Sequence, residues 1–355
     1  MQDKNVSAEK TSDPATTDVA ALLGLLATID RPVEFCVAGD REFVLPGLEV
    51  DGLGIIGLPL AESTAQELIK VCRQAPYGNG TETVVDTKVR KVWELDPSRF
   101  QLTNPAWQKC VNAILEDSQL ALGLEKEKLT PQLYKMLLYE KGSFFLPHRD
   151  GEKVDGMVAT LVIVLPSKHS GGELVVSHDD KTRSIVFPDA ATGHGLSYAL
   201  FYADCKHEVR KLTSGFRFCL TYNVTLTKPK RKRTAGVPSG KPHHEQSALL
   251  APSYGPTVRQ VADHLTSTSR LNKPWKIAIT LDHAYTKDGL RIGLLKGTDR
   301  AKADVLFASA ELAGCVAHLA IVTHWQNGSA EGGDDYDSRG YGRSMRTTKI
   351  PRRTR

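Results

Sequence analysis

His148 and Asp150 stand two residues apart in Phe144-Phe145-Leu146-Pro147-His148-Arg149-Asp150; His207 follows downstream, and Arg217 ten residues after it. Two imidazoles and one carboxylate presented by a β-scaffold are the donor set of oxygen-activating non-haem Fe(II) sites, because three protein ligands leave other positions on the metal open. Side chains at i and i+2 of a strand point the same way, so His148 and Asp150 can share one ion while Arg149 faces away. Arg217 adds the second part of the signal. A co-substrate with a distal carboxylate needs a fixed, always-charged fork, which a guanidinium supplies. Alternation along Gly215–Tyr222 puts Arg217 on one face with Cys219 and Thr221, and Phe216, Phe218, Leu220 and Tyr222 on the other. Arg210 and Lys211 are rival cations but sit too close to His207 to reach past a metal. Tyr139, nine residues before His148, is placed to donate its hydroxyl to the same carboxylate.

A third ligand so far along the chain has to be carried back by strands. Eight strand-like runs span the region: Leu133–Tyr139, Phe144–His148, Met157–Leu165, Glu173–Ser177, Ser184–Phe187, Leu196–Ala203, His207–Lys211 and Gly215–Val224, separated by polar or Gly/Pro-rich turns. Eight antiparallel strands in two Greek keys make a jelly roll, a double-stranded β-helix. The expected fold is therefore mainly β (α+β overall), with His148, Asp150 and His207 at one mouth of the barrel. Before it, Asp18 caps a helix over Val19–Thr28, Glu34–Leu45 reads as a hairpin turning at Ala38-Gly39-Asp40, a second helix runs from Ser63 or Thr64 to Arg73, and Thr83–Glu94 reads as a strand. Asn104-Pro105 is a cap and first-turn pair opening a helix to Leu122.

At these residues the chain resembles the Fe(II)/2-oxoglutarate-dependent dioxygenases, and most the prolyl 4-hydroxylase-type subgroup. The matching text is Tyr139 with Pro147-His148-Arg149-Asp150, then Gly171-Gly172-Glu173-Leu174, His207-Glu208-Val209 and Gly215-Phe216-Arg217, in that order. The resemblance implies Fe(II) held by His148, Asp150 and His207, 2-oxoglutarate held by Arg217 and Tyr139, O2 as second co-substrate, and ascorbate as a reductant. It implies hydroxylation of a C–H bond with release of succinate and CO2, on a protein or peptide and foremost on a prolyl residue. Relatives in the subgroup often carry Lys where Arg217 stands, so the anchor is assigned by position. The family's N-terminal helices and strands pack outside the barrel, and that role is expected here.

Other readings compete. His178-Asp179-Asp180 has the same spelling as the metal pair but falls in the polar run Ser177–Arg183, so His178 and Asp180 read as solvated turn residues; His243-His244-Glu245 lies in a polar linker. A hydrolase could use Zn2+ at the same three ligands, although it has no use for Arg217. A non-catalytic jelly-roll module tethered to nucleic acid is the third reading.

Composition sets the frame. With 355 residues and 41% apolar content the chain can bury a full core. Six cysteines without C-x-x-C spacing argue against a zinc ribbon or disulfide framework and for a reducing, intracellular compartment, cytoplasmic or, in a eukaryote, nuclear. Cys205 reads as a packed thiol. No apolar run is long enough to span a membrane. The net charge of +5 is concentrated in Lys228, Lys230, Arg231, Lys232, Arg233 and Lys241 and in a tail bearing Arg339, Arg343, Arg346, Lys349, Arg352, Arg353 and Arg355, which leaves the rest net acidic. Residues 228–241 and 339–355 are thus the nucleic-acid candidates, with solvated flexible segments the plainer reading.

The expected organisation is a disordered N-terminus (1–17), a dioxygenase domain (18–226, with its jelly-roll core at about 133–224), a basic flexible linker (227–250), a small C-terminal α/β unit (251–333) and a basic disordered tail (334–355). The α/β unit is read from strands at Trp275–Leu281 and Val316–His324 around a helix at Ala301–Ala313. His264, His283, His318 and His324 share no ligand spacing and read as structural. Gly151–Gly156, carrying Lys153, reads as a lid hinged on its glycines.

Overall fold

The computed structural model describes residues 14–29, 33–79, 82–124, 128–151, 153–188, 195–226, 254–269, 276–286 and 289–322. The chain divides into two compact units, residues 1–317 and 318–355; the described part of the second, 318–322, has neither helix nor strand. The elements that follow lie in the first.

Eight strands form the barrel: β1 (Leu129–Glu140), β2 (Phe144–Arg149), β3 (Met157–Leu165), β4 (Leu174–His178), β5 (Lys181–Ile185), β6 (Gly195–Tyr202), β7 (Lys206–Val209) and β8 (Leu212–Leu226). The larger sheet runs Cys36–Glu42, β6, β3, β8, β1, Trp93–Leu95, Arg73–Gln74, and the smaller runs β5, β4, β7, β2, Arg90–Lys91. Successive strands thus alternate between sheets except at the β4–β5 hairpin, with antiparallel pairing throughout. This is the jelly roll expected from the sequence, and the fold is mainly β. The near-continuous apolar run of β3 is buried along almost its whole length, as a strand covered on both faces requires.

Helices α2 (Glu62–Val71) and α3 (Pro105–Gln119) bury Ala65, Leu68, Trp107, Val111, Ile114 and Leu115 in one core with the larger sheet. The Trp107 indole N–H donates to the Tyr222 hydroxyl of β8 at 2.7 Å. Asn104 caps α3 as expected, its side-chain oxygen accepting from the Ala106 N–H at 2.9 Å, a bond worth about 1 kcal/mol.

Several expectations need correction. Glu34–Leu45 is not a hairpin: Cys36–Glu42 is one strand paired along its length with β6. Gly39 serves close packing instead of a turn, since a Cβ there would lie 3.0 Å from the Tyr198 hydroxyl. Thr83–Glu94 is broken into Glu82–Val84, Arg90–Lys91 and Trp93–Leu95, which pair in different sheets. The first helix, α1 (Pro14–Ala27), starts earlier than Val19, so residues 14–17 are helical, with proline at a first-turn position it suits. Nor does α1 cover the barrel. Leu22 and Leu26 pack with Val258, Val261 and Leu265 of α4 (Gly255–Ser269) and Ala301, Val305 and Ala308 of α5 (Gly297–Leu312). The expected C-terminal α/β unit is helical among the described residues, because 276–281 and 316–322 find no strand partner. Apolar alternation there reflects packing of extended chain on helices: Ile277 and Ile279 lie against the core formed by α1, α4 and α5. No helix among the described residues is long and apolar enough to cross a membrane. The basic runs 228–241 and 339–355, His243, His244 and His324 lie outside the described residues.

Candidate active site

β2 and β7 are neighbours in the smaller sheet, and their register sets His148 opposite His207. A bulge between Phe145 and His148 turns the end of β2, and Asp150 follows just beyond its last residue. The result gathers His148, Asp150 and His207, with one ligand atom of each within 4.8 Å of the others. The two imidazole rings lie 4.1 Å apart, inclined at 54°, and the Nε2 of His207 is 3.7 Å from Asp150 Oδ2. All three residues predicted as metal ligands therefore converge.

Backbone carbonyls set the tautomers. His148 Nδ1 is 2.9 Å from the Leu146 carbonyl and His207 Nδ1 is 3.1 Å from the Cys205 carbonyl, so each Nδ1 donates and each Nε2 keeps a lone pair. Phe145 stacks on His148, and Phe201 packs against His207 at 4.7 Å. Burial holds His148 well below the ordinary imidazole range, at about 3, and the neighbouring His207 adds to the effect, so the ring is a neutral donor near pH 7. Burial would raise the Asp150 carboxyl, but His207 and a hydrogen bond from Thr160 outweigh it and hold the group ionised. That Thr160 hydroxyl, on β3, donates to Asp150 Oδ2 at 2.7 Å.

Arg217 lies on β8 opposite Tyr139 of β1 and is 2% exposed. Its guanidinium sits 4.2 Å from the centre of the Tyr139 ring, while Nη1 donates to the Gly172 carbonyl. Gly172, at φ +74°, permits that approach: a Cβ there would meet Arg217 at 3.2 Å and Leu212 at 2.6 Å. The Nε of Arg217 has no partner among the described residues. Burial raises the Tyr139 phenol above its ordinary value, which keeps it protonated and able to donate. The rival cation Arg210 is exposed and paired with Glu173 at 2.7 Å. Lys153, in the predicted lid, lies 5.6 Å from the Tyr134 ring centre.

Sequence reasoning missed Thr160, although a lone hydroxyl inside the apolar run of β3 was a readable signal. It also misread His178. That residue ends β4 and is only 13% exposed through its side chain, because the imidazole stacks on His283 at 4.1 Å instead of facing solvent. Asp180 is the exposed turn residue expected. Cys205 is a buried free thiol.

Residues 134–225 match the family model described as the 2OG-Fe(II) oxygenase superfamily. No curated protein matches. Among solved structures, a Pseudomonas putida prolyl-4-hydroxylase shares 19% identity over 59% of this chain and 99% of that one, with a TM-score of 0.33. A prolyl hydroxylase from Trichoplax adhaerens shares 14% over 62% and 95%, with a TM-score of 0.34. A viral collagen prolyl hydroxylase from Paramecium Bursaria Chlorella virus-1 shares 14% over 55% and 97%, with a TM-score of 0.31. The family match covers the whole of the triad together with Tyr139 and Arg217, and the segment from Tyr134 to Thr225 is a 2OG-Fe(II) oxygenase domain, that of a 2-oxoglutarate-dependent dioxygenase.

Proposed function

We propose that the protein hydroxylates a C–H bond of a peptide or protein, with a prolyl residue as the first target to try, using Fe(II), 2-oxoglutarate and O2. The observation that carries this reading is Arg217, a buried guanidinium whose Nε has no partner among the described residues, beside a protonated phenol in the same barrel as the triad. A buried cation is costly unless paired, and a dicarboxylate co-substrate supplies the anion. A zinc hydrolase has no corresponding need.

His148 Nε2, Asp150 and His207 Nε2 would hold the iron, and Arg217 with Tyr139 would hold the far carboxylate of 2-oxoglutarate. When bound, the iron supplies oxygen activation coupled to decarboxylation of 2-oxoglutarate to succinate and CO2. The chain supplies orientation. The Leu146 and Cys205 carbonyls keep both Nε2 lone pairs available, the Thr160 hydroxyl fixes one oxygen of Asp150, and the aromatic rings of Phe145 and Phe201 restrict the two imidazoles.

The preference for proline rests on the ordered motifs that the sequence shares with prolyl 4-hydroxylase-type enzymes. Incubation with Fe(II), 2-oxoglutarate, O2 and a panel of proline-containing peptides should give succinate and a peptide heavier by one oxygen atom on proline. Succinate with hydroxylation at another residue would retain the dioxygenase and replace the target. No succinate under any condition would overturn the reading.

A further inference from the structure

A second group of two imidazoles and a carboxylate is built from His178 at the end of β4, Asp204 in the β6–β7 turn and His283 in the segment that precedes α5, again with ligand atoms within 4.8 Å. Its geometry is not that of a metal site. The rings of His178 and His283 stack at 4.1 Å with only 15° between their planes. Imidazole lone pairs lie in the ring plane, so two nearly parallel rings cannot both point at one ion. Asp204 is moreover fully engaged: its carboxylate accepts from the Lys296 ammonium at 2.7 Å, from His283 Nδ1 at 3.0 Å and from the Ala284 N–H at 3.0 Å. Asp204, His283 and Lys296 are each less than a tenth exposed. The cation of this cluster is Lys296.

The group that grips Asp204 is itself held in shape. Asp299, wholly buried in the first turn of α5, accepts from the Asp282 N–H at 2.8 Å, the His283 N–H at 2.9 Å and the Tyr285 hydroxyl at 2.9 Å. The Lys296 N–H donates to that same Tyr285 oxygen at 2.8 Å. Residues 282–285 therefore present His283 and the Ala284 N–H as a preformed receptor for one carboxylate.

What Asp204 touches on its other side gives the cluster its consequence. Its backbone carbonyl accepts from the guanidinium of Arg149, the residue between His148 and Asp150. The next carbonyl, of Cys205, is the one that accepts from His207 Nδ1. One turn thus contacts both strands that carry the candidate ligands. We infer that Lys296, His283 and the Ala284 N–H clamp Asp204 and through it fix His207 against His148 and Asp150, so that Asp204 and Lys296 are positioning residues supplied to the metal centre in part from outside the jelly roll.

This rests on the metal reading of the triad given above. The test uses the full chain and Co(II), an oxygen-stable stand-in for Fe(II), reading affinity and the ligand-field spectrum. Lys296→Met should weaken Co(II) binding by about tenfold or more, the usual cost of losing a group that orients metal ligands, and change the spectrum. Lys296→Arg, which keeps the charge, should restore most of both. Val261→Ala in the core of α1, α4 and α5 should lower the melting temperature yet leave Co(II) affinity unchanged, which separates positioning from mere stability. Should Lys296→Met fail to fold, Arg149→Met cuts the tie without leaving a buried charge and should weaken binding in the same direction.

Wild-type affinity in Lys296→Met, or in Arg149→Met where that variant is the one tested, would overturn the inference. Equal weakening in Val261→Ala, or a second Co(II) equivalent that disappears in His283→Ala, would also overturn it. Absence of Co(II) binding in the unaltered protein would remove the metal centre, and the clamp with it.

Discussion

Among the described residues stand two clusters of the same composition, His148–Asp150–His207 and His178–Asp204–His283, and the contrast between them separates the residue types of a metal site from its geometry. In the first the rings are inclined so that both Nε2 atoms can converge, and Asp150 has a neutral hydroxyl as its neighbour. In the second the rings are stacked and the carboxylate already faces a buried ammonium. An ionised carboxylate beside converging imidazoles, with no lysine or arginine in ion-pair contact among the described residues, invites an external cation. The same groups around a lysine have an internal one.

The largest effects that can break this contrast lie at the first cluster. His148→Ala and His207→Ala should each abolish Fe(II) binding in an anaerobic equilibrium titration, since two remaining ligands are too few to hold the ion at micromolar concentrations. His178→Ala should leave Fe(II) stoichiometry unchanged, and a lost equivalent there would erase the distinction. Next comes Arg217→Ala, which should weaken 2-oxoglutarate by about thirtyfold, equivalent to about 2 kcal/mol for one charge-assisted contact, while Fe(II) affinity stays as it was. An unchanged 2-oxoglutarate affinity would move the anchor elsewhere. Thr160→Val should cost about tenfold in Fe(II) affinity, because it frees one oxygen of Asp150 to rotate.

The smallest expected effect is a pH dependence at the second cluster. Burial alone would raise the Asp204 carboxyl, but the hydrogen bond from His283 and the charge of Lys296 overcome it and hold the group below its ordinary value of 3.8. A carboxyl lowered on folding contributes stability that is present in full above the ordinary value and declines as the pH falls below it. Acid unfolding of the wild type should therefore steepen below about pH 4. Asp204→Asn, though less stable at neutral pH, should show a shallower decline there, and parallel curves would refute the assignment.

The sequence made the barrel and the triad legible for a shared reason. Strands such as Met157–Leu165 announce themselves by composition and length, and the candidate ligands are tied to strand ends by short spacings. Arg217 and Tyr139 could be paired because alternation on two long strands fixes which side chains share a face. The errors fall where partners are remote. Cys36–Glu42 looked like a hairpin because Ala38-Gly39-Asp40 is good turn chemistry, and only the Tyr198 ring of β6, far along the chain, explains the glycine. The helices α1, α4 and α5 bury one another, so neither end of the chain alone reveals what its apolar face covers. His178 looked solvated because its cover, His283, is more than a hundred residues away.

The most direct test of the central claim is the visible metal-to-ligand charge-transfer band formed when Fe(II) and 2-oxoglutarate are added without oxygen. The account predicts one band per chain at saturating Fe(II), absent in His207→Ala and still formed in His283→Ala. No band in the unaltered protein, or a band that survives His207→Ala and vanishes with His283→Ala, would contradict it.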